Sequence, residues 1–298
     1  VFPEVYKAFV SKLGPINLDM DFVLSYSCIV STDFYDHLLV ATMVPVLLLL
    51  VLAGSYLIAR KRNESSEPAI MRVILHKHQA ASVYIALFFY SPATYKIFQT
   101  FSCDELDDGN SYLRADYSLS CLTSRHGWYE VYSLVMVGVY PVGIAAVFAG
   151  LLGWRRHDLV NPDRQSMAHL KPFNPVWVSY KKSRYYYEVV ECGRRVAMTG
   201  IAVLLLPNST AQLSAVVVFA VGFVFISEMI SPFEKGADMN LYRWGNGTVV
   251  ASMYVALLMN IDVARDDTPA MLTFSGVLVL ANVFMIVTVL LQTAFMLK

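Results

Sequence analysis

Hydrophobic positions fall along the chain in long runs separated by short polar stretches. A helix needs about 20 mostly apolar residues to cross a bilayer. Seven stretches meet or approach that length: 38–59, 80–98, 130–153, 187–206, 212–230, 246–261 and 271–297. The first is built around Leu47-Leu48-Leu49-Leu50-Val51-Leu52, and the second is aromatic and interrupted by Ser91-Pro92. The sixth is short unless Tyr242 or Trp244 lies in the membrane interface. The pattern predicts an all-α fold, a polytopic membrane helical bundle of about seven transmembrane helices. Residues 1–14 place Val1, Phe2, Val5, Tyr6, Phe9, Val10 and Leu13 on one helical face. That face predicts a short amphipathic helix, lying in the outer interface or packed on the bundle. The chain then divides into an outer interfacial and extracellular segment, 1–35, and a seven-span domain, 36–298, with an outer disulfide loop at 99–128.

The basic residues of the short loops set the orientation. Arg60, Lys61, Arg62, Arg72 and Lys77 follow the first span. Arg155, Arg156, Arg164, Lys171, Lys181, Lys182 and Arg184 follow the third, and Lys235 and Arg243 the fifth. With seven spans all three loops share one side, which is the cytoplasm. The N-terminus is then outside and Lys298 inside. The alternate loops are acidic, carrying Asp104, Glu105, Asp107, Asp108 and Asp116, and then Asp262, Asp266 and Asp267.

Composition agrees. Charged residues are only 15% of the chain and hydrophobic ones 56%, against about 25% charged in a soluble domain. So few charges cannot cover a water-facing surface, and a soluble enzyme is excluded. The net charge of +0 excludes a polybasic nucleic-acid binder. It averages a basic face against an acidic one. No signal peptide precedes Val1, so an outside N-terminus implies a longer parent chain.

Cys28, Cys103 and Cys121 lie on the predicted outer side, where disulfides persist. Cys103 and Cys121 share one loop and are expected to pair, leaving Cys28 over. Cys192 falls in the fourth span as a packed thiol. No Walker, Rossmann or HExxH pattern occurs, no span carries an interior lysine for a Schiff base, and no cofactor or enzymatic activity is expected.

The fourth span holds the candidate chemistry. Glu188, Glu191, Arg194 and Arg195 enter the membrane together, and Glu191 lies three and four residues before the arginines. Ionisable groups at that depth are functional candidates. The short turn Pro207-Asn208-Ser209-Thr210 makes spans four and five antiparallel neighbours, which sets Glu228 at a similar depth. An Arg194 or Arg195 contact with Glu228 is expected. The cluster reads either as an ion-coordinating gate or as a salt-bridge knot fixing two helices. Pro45, Pro92 and Pro141 interrupt three spans, freeing carbonyls that neighbours or water must satisfy, and such kinks either line a pathway or shape the bundle. The acidic loop could concentrate cations at a mouth or be an ordinary solvated loop. Its Asp104, Glu105, Asp107 and Asp108 do not match the ligand spacing of an EF-hand.

Several motifs fall in a familiar order. Asn17-Leu18-Asp19, Cys28 and Pro45 open the series, followed by Phe98-x-x-Phe101-x-Cys103 and Ser111-Tyr112-Leu113-x-x-Asp116-Tyr117 before Cys121. Val139-Tyr140-Pro141-x-Gly143 and Tyr187-Glu188-Val189-Val190-Glu191-Cys192-x-Arg194-Arg195 complete it. Over about residues 1–235 the chain resembles the TRP-like membrane module, distantly similar to fungal TRP-like and polycystin-like proteins. That module forms the C-terminal membrane region of large protist and algal cell-surface proteins. The resemblance implies a multi-pass plasma-membrane or ciliary protein, cation conduction, and an extracellular ectodomain or surface assembly as partner, with oligomers possible. The alternatives are a non-conducting membrane anchor for such an assembly and a seven-span receptor. A tetrameric cation channel needs a re-entrant pore loop between its last two spans. The interval 262–270 has no room for one, so conduction would need another path, beside spans four and five.

Overall fold

The computed structural model describes residues 32–64, 67–106, 109–201, 210–260, 276–277, 279–284, 286–288 and 290–291. The expected amphipathic helix at 1–14, Cys28, Asp107 and Asp108 lie outside the described residues. The protein is mostly helical, at 78%. It divides into two compact units, residues 23–200 and residues 201–298 with 1–22.

The first unit opens with α1, Phe34–Arg62. Asp33 starts it with a capping box. Its carboxylate accepts from the N–H groups of Tyr35 and Asp36, at 2.9 and 3.2 Å, and Asp36 returns a bond to the Asp33 N–H at 3.0 Å. Arg60, Lys61 and Arg62 close the last turn, where cations complement the helix dipole. Next comes α2, Pro68–Gln99, with proline at its first position. Its 32 residues extend about 48 Å, well beyond the hydrocarbon thickness. The sequence reading began this span at residue 80. Residues 68–79 contain no glycine and no internal proline, so nothing stops the helix, and Arg72 and Lys77 ride on it rather than in a loop.

The loop expected at 99–128 is folded. Strands β1 (Cys103–Glu105), β2 (Ser111–Leu113) and β3 (Asp116–Ser120) form an antiparallel sheet in the order β1-β2-β3. The fold is therefore not purely helical. Gly109, at φ +76°, closes the turn between β1 and β2 with its N–H on the Leu106 carbonyl.

After the sheet, α3 (Ser124–Val137) runs through a π-helical turn, Gly138–Ile144, into α4 (Ala145–Trp154). Pro141 sits inside that wide turn. The Tyr90 hydroxyl of α2 lies 3.2 Å from the Pro141 carbonyl and 3.2 Å from that of Cys192, sharing its proton between them. Near Pro45, the Thr42 carbonyl of α1 accepts from the Tyr140 hydroxyl.

The residues after α4 form a cap, with α5 (Arg156–Val160) and α6 (Asn174–Trp177), before α7 (Tyr187–Val196) runs into a second π-turn, Ala197–Ile201. Two apolar clusters hold this unit. At the sheet end, Phe34, Tyr35 and Leu38 pack with Ala93, Ile97, Leu113 and Tyr140. At the cap end, Val83 and Tyr90 pack with Phe148, Leu152, Trp177 and Cys192. Cys192 is the packed thiol that the sequence implied.

The second unit contains α8, Thr210–Ile230, and α9, Gly236–Asn260, joined by a five-residue turn. The sequence placed this span at 246–261. The helix starts ten residues earlier, with Asp238 in its first turn, and so takes in Arg243.

Among the described residues two helical stretches are long and apolar enough to cross a membrane, Phe34–Arg62 and Ser124–Trp154. Only 22% and 17% of their most apolar windows are buried. A core helix of a soluble protein buries most of its apolar surface. Here Leu47, Leu50, Val51, Leu134, Val135 and Val147 point outward. Exposed apolar side chains in such number mark contact with lipid or with another protein.

Candidate functional site

The cap meets α7 in a buried network of charges. Trp177 and Leu159 bury the cap against α2 and α4, which brings Tyr180 over the first turn of α7. The Tyr180 hydroxyl donates to Glu188 Oε2 at 2.7 Å. Burial, followed by the neighbouring Glu188 carboxylate, pushes the Tyr180 phenol well above its ordinary range, so it stays a donor. Glu188 and Glu191 are both buried, one turn apart on the same helix face. Arg194 Nε donates to both Glu191 oxygens, at 3.0 and 2.9 Å, and its terminal nitrogen completes a fork. Arg195 is held more loosely, 3.5 Å from Glu191 and 3.8 Å from Glu188.

Helical spacing explains this set. Glu191 precedes Arg194 by three residues and Arg195 by four, so all three share a face. Glu188 adds a second carboxylate one turn before Glu191. Four of the five residues proposed from sequence therefore come together. Glu228 has another partner. Its carboxylate takes a bidentate pair from Arg243, at 2.6 and 2.7 Å, across the α8–α9 turn. Helix α9 begins early enough to carry Arg243 alongside Glu228, while Arg194 and Arg195 have carboxylates on their own helix.

Beside the network lies an open cleft of about 720 Å³. Leu48 of α1 and Tyr84, Leu87 and Phe88 of α2 form its apolar wall, and Pro175, Glu188 and Arg195 border its polar end. No charge pattern in the sequence pointed to it.

At the other end, Cys103 and Cys121 are bonded as expected. His126 is buried beside them, its Nδ1 2.9 Å from the Tyr35 hydroxyl and its Nε2 3.6 Å from Cys103 Sγ. Two acidic side chains of this loop, Asp104 and Asp116, have protein partners. Asp104 takes a two-nitrogen fork from Arg114, at 2.6 to 3.2 Å, and the Tyr117 hydroxyl at 2.7 Å. That bond, with some burial, raises the Tyr117 phenol above its ordinary range. Asp116 accepts from the Phe34 N–H at 3.3 Å and from Ser118. Burial works to raise its carboxyl, but the bonds from Ser118 and Phe34 outweigh it and hold the pKa below the ordinary value. Glu105 remains exposed at the sheet edge. Among the described residues these carboxylates do not converge on a possible metal position.

Two features escaped the sequence reading. Lys96, near the end of the second span, is buried with its ammonium 5.8 Å from the Phe34 ring centroid. Arg164 was counted as a loop cation. It is fully buried in the cap, donating to the Tyr180 carbonyl at 2.6 Å with its guanidinium over the Trp177 ring. A comparison of the chain with known protein families, curated proteins and solved structures finds no match.

Proposed function

We propose that the chain is a TRP-like, channel-type transmembrane domain of the cell surface, related to cation transport rather than to an enzymatic reaction. In this reading it is a multi-pass plasma-membrane protein of seven spans, with its N-terminus outside and Lys298 in the cytoplasm. The observation that carries it is the link between Tyr180 and Glu188. A residue of the basic, cytoplasmic cap is bonded to a carboxylate of an intramembrane charge cluster. Such a bond is a latch: cap movement would release Glu188 and unbalance the buried charges, which is how a cytoplasmic signal reaches a gate. In this reading the mutual neutralisation of these charges belongs to the closed state.

The same neutralisation favours a second reading, a non-conducting anchor for an extracellular or ciliary assembly. There the Glu191–Arg194 fork serves only to fix the helices. Planar-bilayer recording of the purified protein separates the two, with Tyr180→Phe and Arg195→Ala as latch variants. The channel reading expects cation current that rises in the variants. Silence of all three proteins under stretch, voltage and calcium supports the anchor.

A further inference from the structure

We infer that the cleft beside the charge network is a binding site for an anionic phospholipid, with an acyl chain along α1 and α2 and its phosphate on Arg195. The wall of the cleft comes from side chains that the described residues leave open. Tyr84 and Phe88 are more than half exposed, and Leu48 joins the exposed run from Leu47 to Val51. An apolar cleft continuous with an apolar outer face is open to hydrocarbon along its length.

The polar end has an asymmetry. Arg194 and Arg195 are adjacent, yet Arg194 is committed to Glu191 by close hydrogen bonds. Among the described residues Arg195 has only two long ion pairs, at 3.5 and 3.8 Å, and its side chain is 30% exposed into the cleft. Glu188 at the same end is already supplied with a donor by Tyr180. The group with unused N–H donors is therefore a guanidinium, whose planar fork suits a phosphate. Pro175 places this end beside the cap, which carries Arg155, Arg156, Lys171, Lys181, Lys182 and Arg184 against Asp158 and Asp163. That basic excess attracts the anionic headgroups of the adjoining leaflet. The occupant satisfies both ends at once: hydrocarbon for the wall, phosphate for Arg195. Its headgroup would also bias the latch, since phosphate on Arg195 competes with Glu188 and Glu191.

The inference rests on the membrane placement proposed above but not on conduction. The test uses the full chain in phosphatidylcholine nanodiscs with a trace of phosphatidic acid bearing a photoactivatable group on one acyl chain. A phosphatidylcholine probe with the same tail is the control. Labelled peptides are mapped by mass spectrometry. The phosphatidic acid probe is expected to label the 84–88 stretch and the region of Leu48 in preference to the control. Arg195→Gln is expected to lower that labelling about tenfold, the cost of losing one charge-assisted contact. Leu48→Trp, which fills the cleft and leaves Arg195 in place, should lower labelling by both probes. Equal labelling by the two probes, labels spread over all apolar helices, or indifference to both variants would overturn the site. So would displacement of the probe by inorganic phosphate alone. Failure of the chain to enter nanodiscs rejects the membrane placement instead, so the two failures are distinguishable.

Discussion

The Tyr180 hydroxyl donates across 2.7 Å to Glu188, and this bond joins the cap to α7. Tyr180→Phe keeps the ring and removes the donor. A buried carboxylate then loses its closest partner, which costs about 1–3 kcal/mol. We expect a lower melting temperature in detergent and faster proteolysis between residues 155 and 186. Unchanged cleavage in that segment would show that Trp177 and Leu159 hold the cap without the bond.

The fork between Glu191 and Arg194 predicts strong coupling. Removing Arg194 leaves the buried Glu191 without its fork, and removing Glu191 leaves a half-buried guanidinium. Removing both leaves Arg195 to serve Glu188 alone. A double-mutant cycle with Glu191→Ala and Arg194→Ala should give a coupling of about 1–3 kcal/mol in urea or thermal unfolding. Additive losses would mean that Arg195 takes over for the missing side chain.

Much of this network could be read in the sequence, because it is local. Glu188, Glu191, Arg194 and Arg195 lie within eight residues on one helix, and helical spacing alone brings them together. The Cys103–Cys121 pair was legible for the same reason, since the two cysteines share a loop. Partners from distant segments were not legible. Tyr180 reaches Glu188 only because the cap folds, and the prolines at 162, 172 and 175 break the periodicity that would have revealed it. Glu228 was assigned by depth, but depth depends on where helices start. The early start of α9 at Gly236 gave it Arg243. The small sheet was missed because its strands are three to five residues long, too short for an alternating pattern to stand out.

Gly200 packs against the ring of Phe98, and a β-carbon at that position would overlap the ring. Both residues are buried. Gly200→Ala should therefore destabilise by about 1–3 kcal/mol through overpacking. Gly54, in the middle of α1, has open space around it. Gly54→Ala should stabilise slightly, by about 0.5–1 kcal/mol, because alanine is the better helix former. Thermal unfolding of the two variants, run side by side, checks the opposite signs.

The disulfide closes a loop with a sequence separation of 18 that contains the whole sheet. Chain entropy assigns such a crosslink about 3 kcal/mol. The double variant Cys103→Ser/Cys121→Ser should lose about that much and expose His126, which lies beside the bridge. Hydrogen exchange of residues 103–126 gives the local readout. Loss confined to the sheet, with the cap unchanged, is the expected pattern.

Asp116 ties this sheet to the start of α1 through the Phe34 N–H. Its carboxyl pKa is lowered in the folded state, so the charged form is favoured by folding. The sign follows by linkage. Stability from this group is fully present above the unfolded value, near the usual carboxylate range of about 4, and is lost as the pH falls through the folded value below it. Acidification from about pH 5 to 3 should therefore loosen the contact between β3 and α1. The Phe34 amide should exchange faster, after correction for the intrinsic pH dependence. Asp116→Asn, which cannot titrate but keeps an acceptor oxygen, should flatten that change. A Phe34 amide that responds to acid equally in both proteins would show that the acid does not act through Asp116.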